Sequence, residues 1–195
     1  FVIYYYLVYV KGIEAHITGL DLKADVIRHC NEAAAKYGYA NLRFLVGDIG
    51  GYDEAETVDM VVTLHACDTA TDYALAHAVK RGAKMILSVP CCQHELNAQM
   101  RGGNLPILCR FGIVQERMAA LMTDALRANL LTACGYKTQI LEFVDFEHTP
   151  KNLLIRAIKA NLPENVRENA RAEATALMEE FSFKPTLARL LFPQS

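Results

Sequence analysis

At 195 residues, 52% hydrophobic and 22% charged, the chain is long enough to bury a core of its own and too apolar to be disordered. A net charge of -2 excludes recruitment of nucleic acid by a global field, so such a partner needs a local basic patch. No apolar run reaches the ~20 residues of a membrane span, and six cysteines in a chain this long do not make a secreted disulfide scaffold.

Phe1 to Val10 is apolar and aromatic, and its periodicity fits a strand or a buried helix equally. It lacks the basic start and small-residue cleavage site of a signal peptide. Residues 16–21 read as a strand. Residues 23–37 read as a helix, with Ala24, Val26, Ile27, Cys30, Ala33 and Ala34 on one stripe and Gly38 as its cap. Residues 42–47 form a second strand, followed by the turn Gly50-Gly51. Residues 59–64 are expected as a strand buried on both faces, 69–80 as a helix, and 83–89 as another buried strand ending at Pro90.

Residues 93–112 are polar and carry Gly102-Gly103-Asn104, which suggests a long loop with a short helix. Residues 113–134 are a long amphipathic helix stopped at Gly135. Lys137 to Asp145 and Asn152 to Lys159 are strands joined by His148-Thr149-Pro150, a link too short for a crossover helix, so the pair is antiparallel. Residues 163–192 are helical, with a break at Pro185. Strand–helix alternation that closes on two adjacent strands implies an α/β fold with a mainly parallel, doubly wound sheet and a C-terminal antiparallel strand pair. One domain over 1–195 is the simplest organisation.

The candidate chemistry lies at strand ends. Ligands of an open parallel sheet bind outside the carboxyl ends of its strands. Asp21 and Asp48 each close a short apolar run. One carboxylate there can accept both hydroxyls of a ribose, and a second can take the amino group of adenine. Two sharper motifs follow the next strands: Leu64-His65-Ala66-Cys67-Asp68-Thr69-Ala70-Thr71-Asp72 and Ser88-Val89-Pro90-Cys91-Cys92-Gln93-His94-Glu95-Leu96. If those strands are neighbours, two His and three Cys come close enough for a zinc site. The spacing has no Cys-x2-Cys pair, however, and no metal site is assigned. Small inert cysteines, or cysteines that shape an acceptor pocket, are the readings preferred. Cys30 and Cys134 are expected in the core. Tyr4, Tyr5, Tyr6 and Tyr9 are expected as core and pocket wall. The basic groups Lys80, Arg81, Lys84 and Arg101, Arg110, Arg117 read as solvated faces.

These motifs, with acidic residues after two early strands and a closing antiparallel pair, resemble the class I S-adenosylmethionine-dependent methyltransferases of Rossmann-like fold. The nearest branch includes bacterial methylase-like proteins and a domain of some eukaryotic methyltransferase-like and glutathione-transferase-C-terminal-domain proteins. The resemblance covers roughly residues 1–160. It implies S-adenosylmethionine as cofactor, held by Asp21 and Leu22 at the ribose, by Asp48 and Ile49 at the adenine, and by His65. It implies Asp68 and His94 as catalytic candidates, and Cys91, Cys92 and Gln93 at the acceptor. The acceptor itself is unidentified, with RNA as one candidate; a cytoplasmic compartment is the expectation from reduced cysteines. The Asn/Asp-Pro-Pro-Tyr segment of amino-group methylases is replaced here by His65-Ala66-Cys67-Asp68, so methylation of a base amino group is not implied. The family's Gly-rich loop is missing: Phe1 to Val10 resembles the helix that follows that loop, and the first strand is expected upstream. The rival readings are a nicotinamide-dependent oxidoreductase and a non-catalytic nucleoside-binding or scaffolding module on the same fold.

Overall fold

The structure, a computed structural model, describes residues 1–52, 57–64, 66–100, 105–142 and 153–193. It divides into two compact units, Phe1–Glu54 and Ala55–Ser195. The link between residues 143 and 152, Gly102-Gly103-Asn104 and His65 lie outside the described residues.

In the first unit a short helix α1 (Val2–Tyr5) runs on into a π-helical turn, Tyr6–Val10. The opening segment is therefore a helix, although its sequence pattern fits either form. Packing decides the matter: Tyr4 is buried with Ala34 and Leu42, while Val8, Ile17, Tyr39 and Phe44 close around them. Tyr5, Tyr6 and Tyr9 remain about half exposed, so of these four tyrosines only Tyr4 belongs to the core, because a single helical turn presents one face inward. Strands β1 (Ile17–Asp21) and β2 (Leu42–Val46) pair in parallel, joined by helix α2 (Ala24–Lys36). Gly38 takes a positive φ of 70° just past α2, the left-handed turn expected of a capping glycine. Asn31 of α2 reaches the backbone of β2: its amide donates to the Phe44 carbonyl and its oxygen accepts the Phe44 N–H. A side chain thus satisfies strand groups that another strand would otherwise pair.

The second unit has a four-stranded sheet in the order β3-β4-β6-β5, built from β3 (Met60–Leu64), β4 (Met85–Val89), β5 (Tyr136–Glu142) and β6 (Leu153–Lys159). β3 and β4 are parallel, and β6 runs antiparallel to both β4 and β5. The closing antiparallel pair and the two parallel strand–helix–strand steps are those read from the sequence. Helix α3 (Thr69–Lys80) connects β3 to β4. Helices α4 (His94–Gln99) and α5 (Pro106–Cys109) occupy the stretch expected as a loop with one short helix. Helices α6 (Gly112–Ala133), α7 (Glu164–Glu180) and α8 (Thr186–Leu191) complete the unit, the last two separated at Pro185.

The core of this unit gathers Leu75, Ile86, Leu96, Leu126, Leu130, Leu131, Tyr136 and Ile155, each almost fully buried. At roughly 1.5–3 kcal/mol per large apolar side chain, these residues dominate its stability. Tyr136 remains buried because its hydroxyl donates to the Ala83 carbonyl at 2.9 Å. β3 is not buried on both faces: Val62 and Leu64 are exposed. β3 is an edge strand in this sheet, and α3 packs against it. Among the described residues, no helix is long and apolar enough to cross a membrane.

Candidate functional site

In the first unit the site is set by register. Asp21 stands opposite Val46 in the parallel pair, and the Gly47 N–H donates to the Asp21 carbonyl. Asp48 follows immediately, so both carboxylates leave the same, carboxyl end of the sheet. Each one uses a single oxygen locally. Asp21 Oδ1 accepts the Lys23 N–H at 2.9 Å as the chain turns into α2, and Asp48 Oδ1 accepts the Gly50 N–H at 3.1 Å over the short turn Ile49–Gly51. Oδ2 of each has no protein partner among the described residues. Both side chains are exposed, as is Leu22, while Ile49 is half-buried. This acceptor set fits the nucleoside end of S-adenosylmethionine: among the described residues each carboxylate keeps one oxygen unengaged, which suits a diol and an exocyclic amine.

In the second unit the β3–β4 register pairs Leu64 with Val89, so the two motif loops leave side by side. Cys67 and Cys91 meet at 3.6 Å between sulfurs, and Cys67, Cys91 and Cys92 all have their sulfurs within 4.8 Å of one another. Burial, reinforced by hydrogen bonds from Cys67 and Cys92, pushes the Cys91 thiol up to about 12. The sequence brings these cysteines to neighbouring loops; only the parallel register makes them touch.

Asp68 does not cap α3 with its carboxylate. Its Oδ1 accepts the Glu95 N–H at 3.1 Å, which ties the first motif to the second. Its backbone has φ 52° and ψ -119°, outside the region an aspartate prefers. That conformation is braced from behind, where Arg127 Nη2 donates to the Asp68 carbonyl at 2.9 Å. His94 is exposed at the start of α4. Gln93 turns its amide inward, donating to Asp124 Oδ2 at 3.1 Å. Glu95 accepts from both the backbone N–H and the hydroxyl of Thr186, which anchors α8 to the same loop. His65 lies outside the described residues.

Beneath the loops sits a feature that sequence reasoning missed. Arg127 is buried and forks between two buried carboxylates, Nε to Asp72 at 2.8 Å and Nη1 to Asp124 at 3.1 Å. Burial pushes both carboxyls above the ordinary aspartate range against the pull of Arg127, while the two carboxylates hold Arg127 charged. A single cation thus positions Asp68, Gln93 and α3 together. The sequence signal was slight: Asp124 and Arg127 stand one turn apart on an amphipathic helix that carries other polar residues as well. A groove of about 590 Å³ also opens in this unit, lined by Gln99, Leu105, Cys109, Phe181 and Lys184 among others. Glu95 of the second motif lines it too, together with Arg189, whereas Cys67, Asp68, Cys91, Cys92, Gln93 and His94 do not.

Residues 1–99 match the family described as "Methyltransferase domain". The chain is similar to the glutathione S-transferase C-terminal domain-containing proteins of Homo sapiens and Macaca fascicularis, 24% identical over 165 residues, covering 71% of this chain and 25% of each relative. The Xenopus laevis counterpart is 27% identical over 92 residues, covering 47% of this chain and 14% of its own. The chain therefore spans a quarter or less of the length of the curated relatives it matches. Among solved structures it is similar to the CMeT domain of the citrinin polyketide synthase, with a TM-score of 0.43 and 12% identity over 80% of this chain and 42% of the other. A Pyrococcus horikoshii protein gives a TM-score of 0.41 and 15% identity over 80% of this chain and 76% of its own.

Proposed function

We propose, for a chain that belongs to the methyltransferase-domain family, that its methyl donor is S-adenosylmethionine and that Asp21 and Asp48 hold the nucleoside end of that donor. One observation carries the reading: the parallel β1–β2 pair delivers both carboxylates to the carboxyl end of the sheet, with one oxygen of each unengaged among the described residues. Asp21 would take the ribose diol, with Leu22 beside it. Asp48 would take the adenine amine, with Ile49 against the ring. His65, by its place in the sequence, would join the cofactor contacts. The family match runs through both compact units, which supports reading them as parts of one methyltransferase-like domain.

Bound S-adenosylmethionine would supply a methyl group on a positively charged sulfur. The protein's own task is then to align an acceptor and to remove its proton where it has one. Asp68 is the better anchored candidate. Its position is fixed by Glu95 and Arg127, and a fixed carboxylate can orient a donor hydrogen of the acceptor. His94, exposed at the head of α4, is the candidate to carry the proton away. Cys91 and Cys92 would line the acceptor side, with Gln93, whose amide is tied to Asp124, holding the loop from behind. RNA is one candidate acceptor, and a binding affinity that falls steeply with salt would support it. The six cysteines, all free, fit a cytoplasmic setting.

Calorimetry on the natural polypeptide that carries this chain tests the reading. S-adenosylmethionine should bind, and Asp21→Asn should weaken it by about 1.5–3 kcal/mol, a factor of roughly ten to a hundred. Absence of binding to the unmodified protein would sink the cofactor assignment. It would favour a module that retains the fold without the reaction.

A further inference from the structure

We propose that Cys67, Cys91 and Cys92 form a three-thiolate binding site for zinc, with the fourth coordination position open. The geometry is near that of a bound ion. Zinc–sulfur bonds of ~2.3 Å at tetrahedral angles place ligand sulfurs ~3.8 Å apart. The Cys67–Cys91 separation of 3.6 Å is already that edge. All three sulfurs lie within 4.8 Å of one another, so contraction by about 1 Å, the scale of a side-chain rotation, completes the trigonal base.

Core filling does not explain the cluster. Cys67 is exposed, and an exposed thiol adds nothing to packing. The loops that carry the thiols are held in place without any ion: the Asp68 carboxylate ties them together, and Arg127 braces the strained Asp68 backbone beside Cys67. Strain retained at such a position is a mark of functional loops. The fourth position would open toward the solvent beside Cys67, as in sites that accept a water or a substrate atom.

Binding would release one proton from each thiol, leaving three thiolates on a divalent ion and a site charge of minus one. Zinc affinity would therefore rise with pH, and proton release would accompany binding. Soft thiolates select zinc or cuprous ion over magnesium or calcium.

The full chain, produced without a histidine tag and stripped of metal, is titrated with zinc and, in parallel, with cobalt(II) as a coloured stand-in. The expected result is about one equivalent of zinc and a thiolate-to-cobalt charge-transfer band. Cys67→Ser, Cys91→Ser and Cys92→Ser should each weaken cobalt binding at least about tenfold, while Cys109→Ser leaves it unchanged. Less than about a tenth of an equivalent in the unmodified protein, or a band that survives all three serine variants, would overturn the site. No S-adenosylmethionine is present in the titration. Metal binding without cofactor binding would therefore refute only the functional reading, and the converse only the metal site.

Discussion

Arg127 donates Nε to Oδ1 of Asp72 at 2.8 Å, across 55 residues of sequence and with both side chains sealed from solvent. The same guanidinium reaches Asp124 and the carbonyl of Asp68. A buried fork of this kind is costly to desolvate, and replacing the whole network by apolar groups need not destabilise a fold. Removing one member does, because the others stay behind unpaired. Arg127→Met should therefore cost about 3–5 kcal/mol, read as a fall in the urea midpoint. Arg127→Lys keeps the charge but loses the fork and should fall between the two. A loss under about 1 kcal/mol for Arg127→Met would show that the network is not what holds α3 and α6 together.

The pH dependence of that network has a definite sign. Burial raises the Asp72 and Asp124 carboxyls above their ordinary values by more than Arg127 lowers them. The folded chain then binds more protons at these sites than the unfolded chain. Their contribution to stability is full below the unfolded aspartate value of about 4 and declines as pH rises through the folded values. Asp124→Asn removes one of the two groups. The stability of the unmodified protein relative to Asp124→Asn should fall as pH rises from that point, which paired urea titrations at several pH values would reveal. A flat difference would contradict the shifts.

At the nucleoside end, the pairing of Asp21 with a ribose hydroxyl makes a double-mutant prediction. A 2′-deoxy analogue of S-adenosylmethionine should bind the unmodified protein about tenfold or more weakly than the natural compound. Against Asp21→Asn the same comparison should shrink to about twofold, because the partner is already lost. Equal penalties in both proteins would place the ribose elsewhere.

Gly19 offers a steric test of the small sheet. A Cβ built there would lie 2.5 Å from Cδ1 and 2.7 Å from Cε1 of Phe44, whose ring stacks on Phe1 with centroids 5.2 Å apart. Gly19→Ala must push that ring aside. It should destabilise the first unit by about 1–3 kcal/mol, seen in thermal melts followed by tyrosine fluorescence. Gly19→Ala combined with Phe44→Leu should recover part of the loss, since leucine vacates the ring's edge.

Much of the fold could be read from residue order because local signals agree with the final packing. Helix α3 ends on the residues expected, and α6 lies within a residue of its expected limits, because a turn or glycine punctuates each end. The strands at Asp21 and Asp48, and the closing antiparallel pair, follow from short apolar runs and connection lengths. The opening segment was ambiguous because ten apolar residues bury equally well as strand or helix; the contacts of Tyr4 with Ala34 and Leu42 settle it. Val62 and Leu64 misled in the other direction, since an apolar strand reads as doubly buried whether or not a second layer covers it.

The sequence by itself determined that this is an α/β chain with carboxylates and cysteine-bearing motifs at the ends of parallel strands, because alternation, punctuation and spacing are local properties of the chain. Only tertiary structure decided that Cys67 touches Cys91 and that Arg127 serves Asp72, Asp124 and Asp68 together. Those contacts arise from strand register and from packing between helices far apart in sequence, and no local pattern encodes which distant polar group a buried charge will meet.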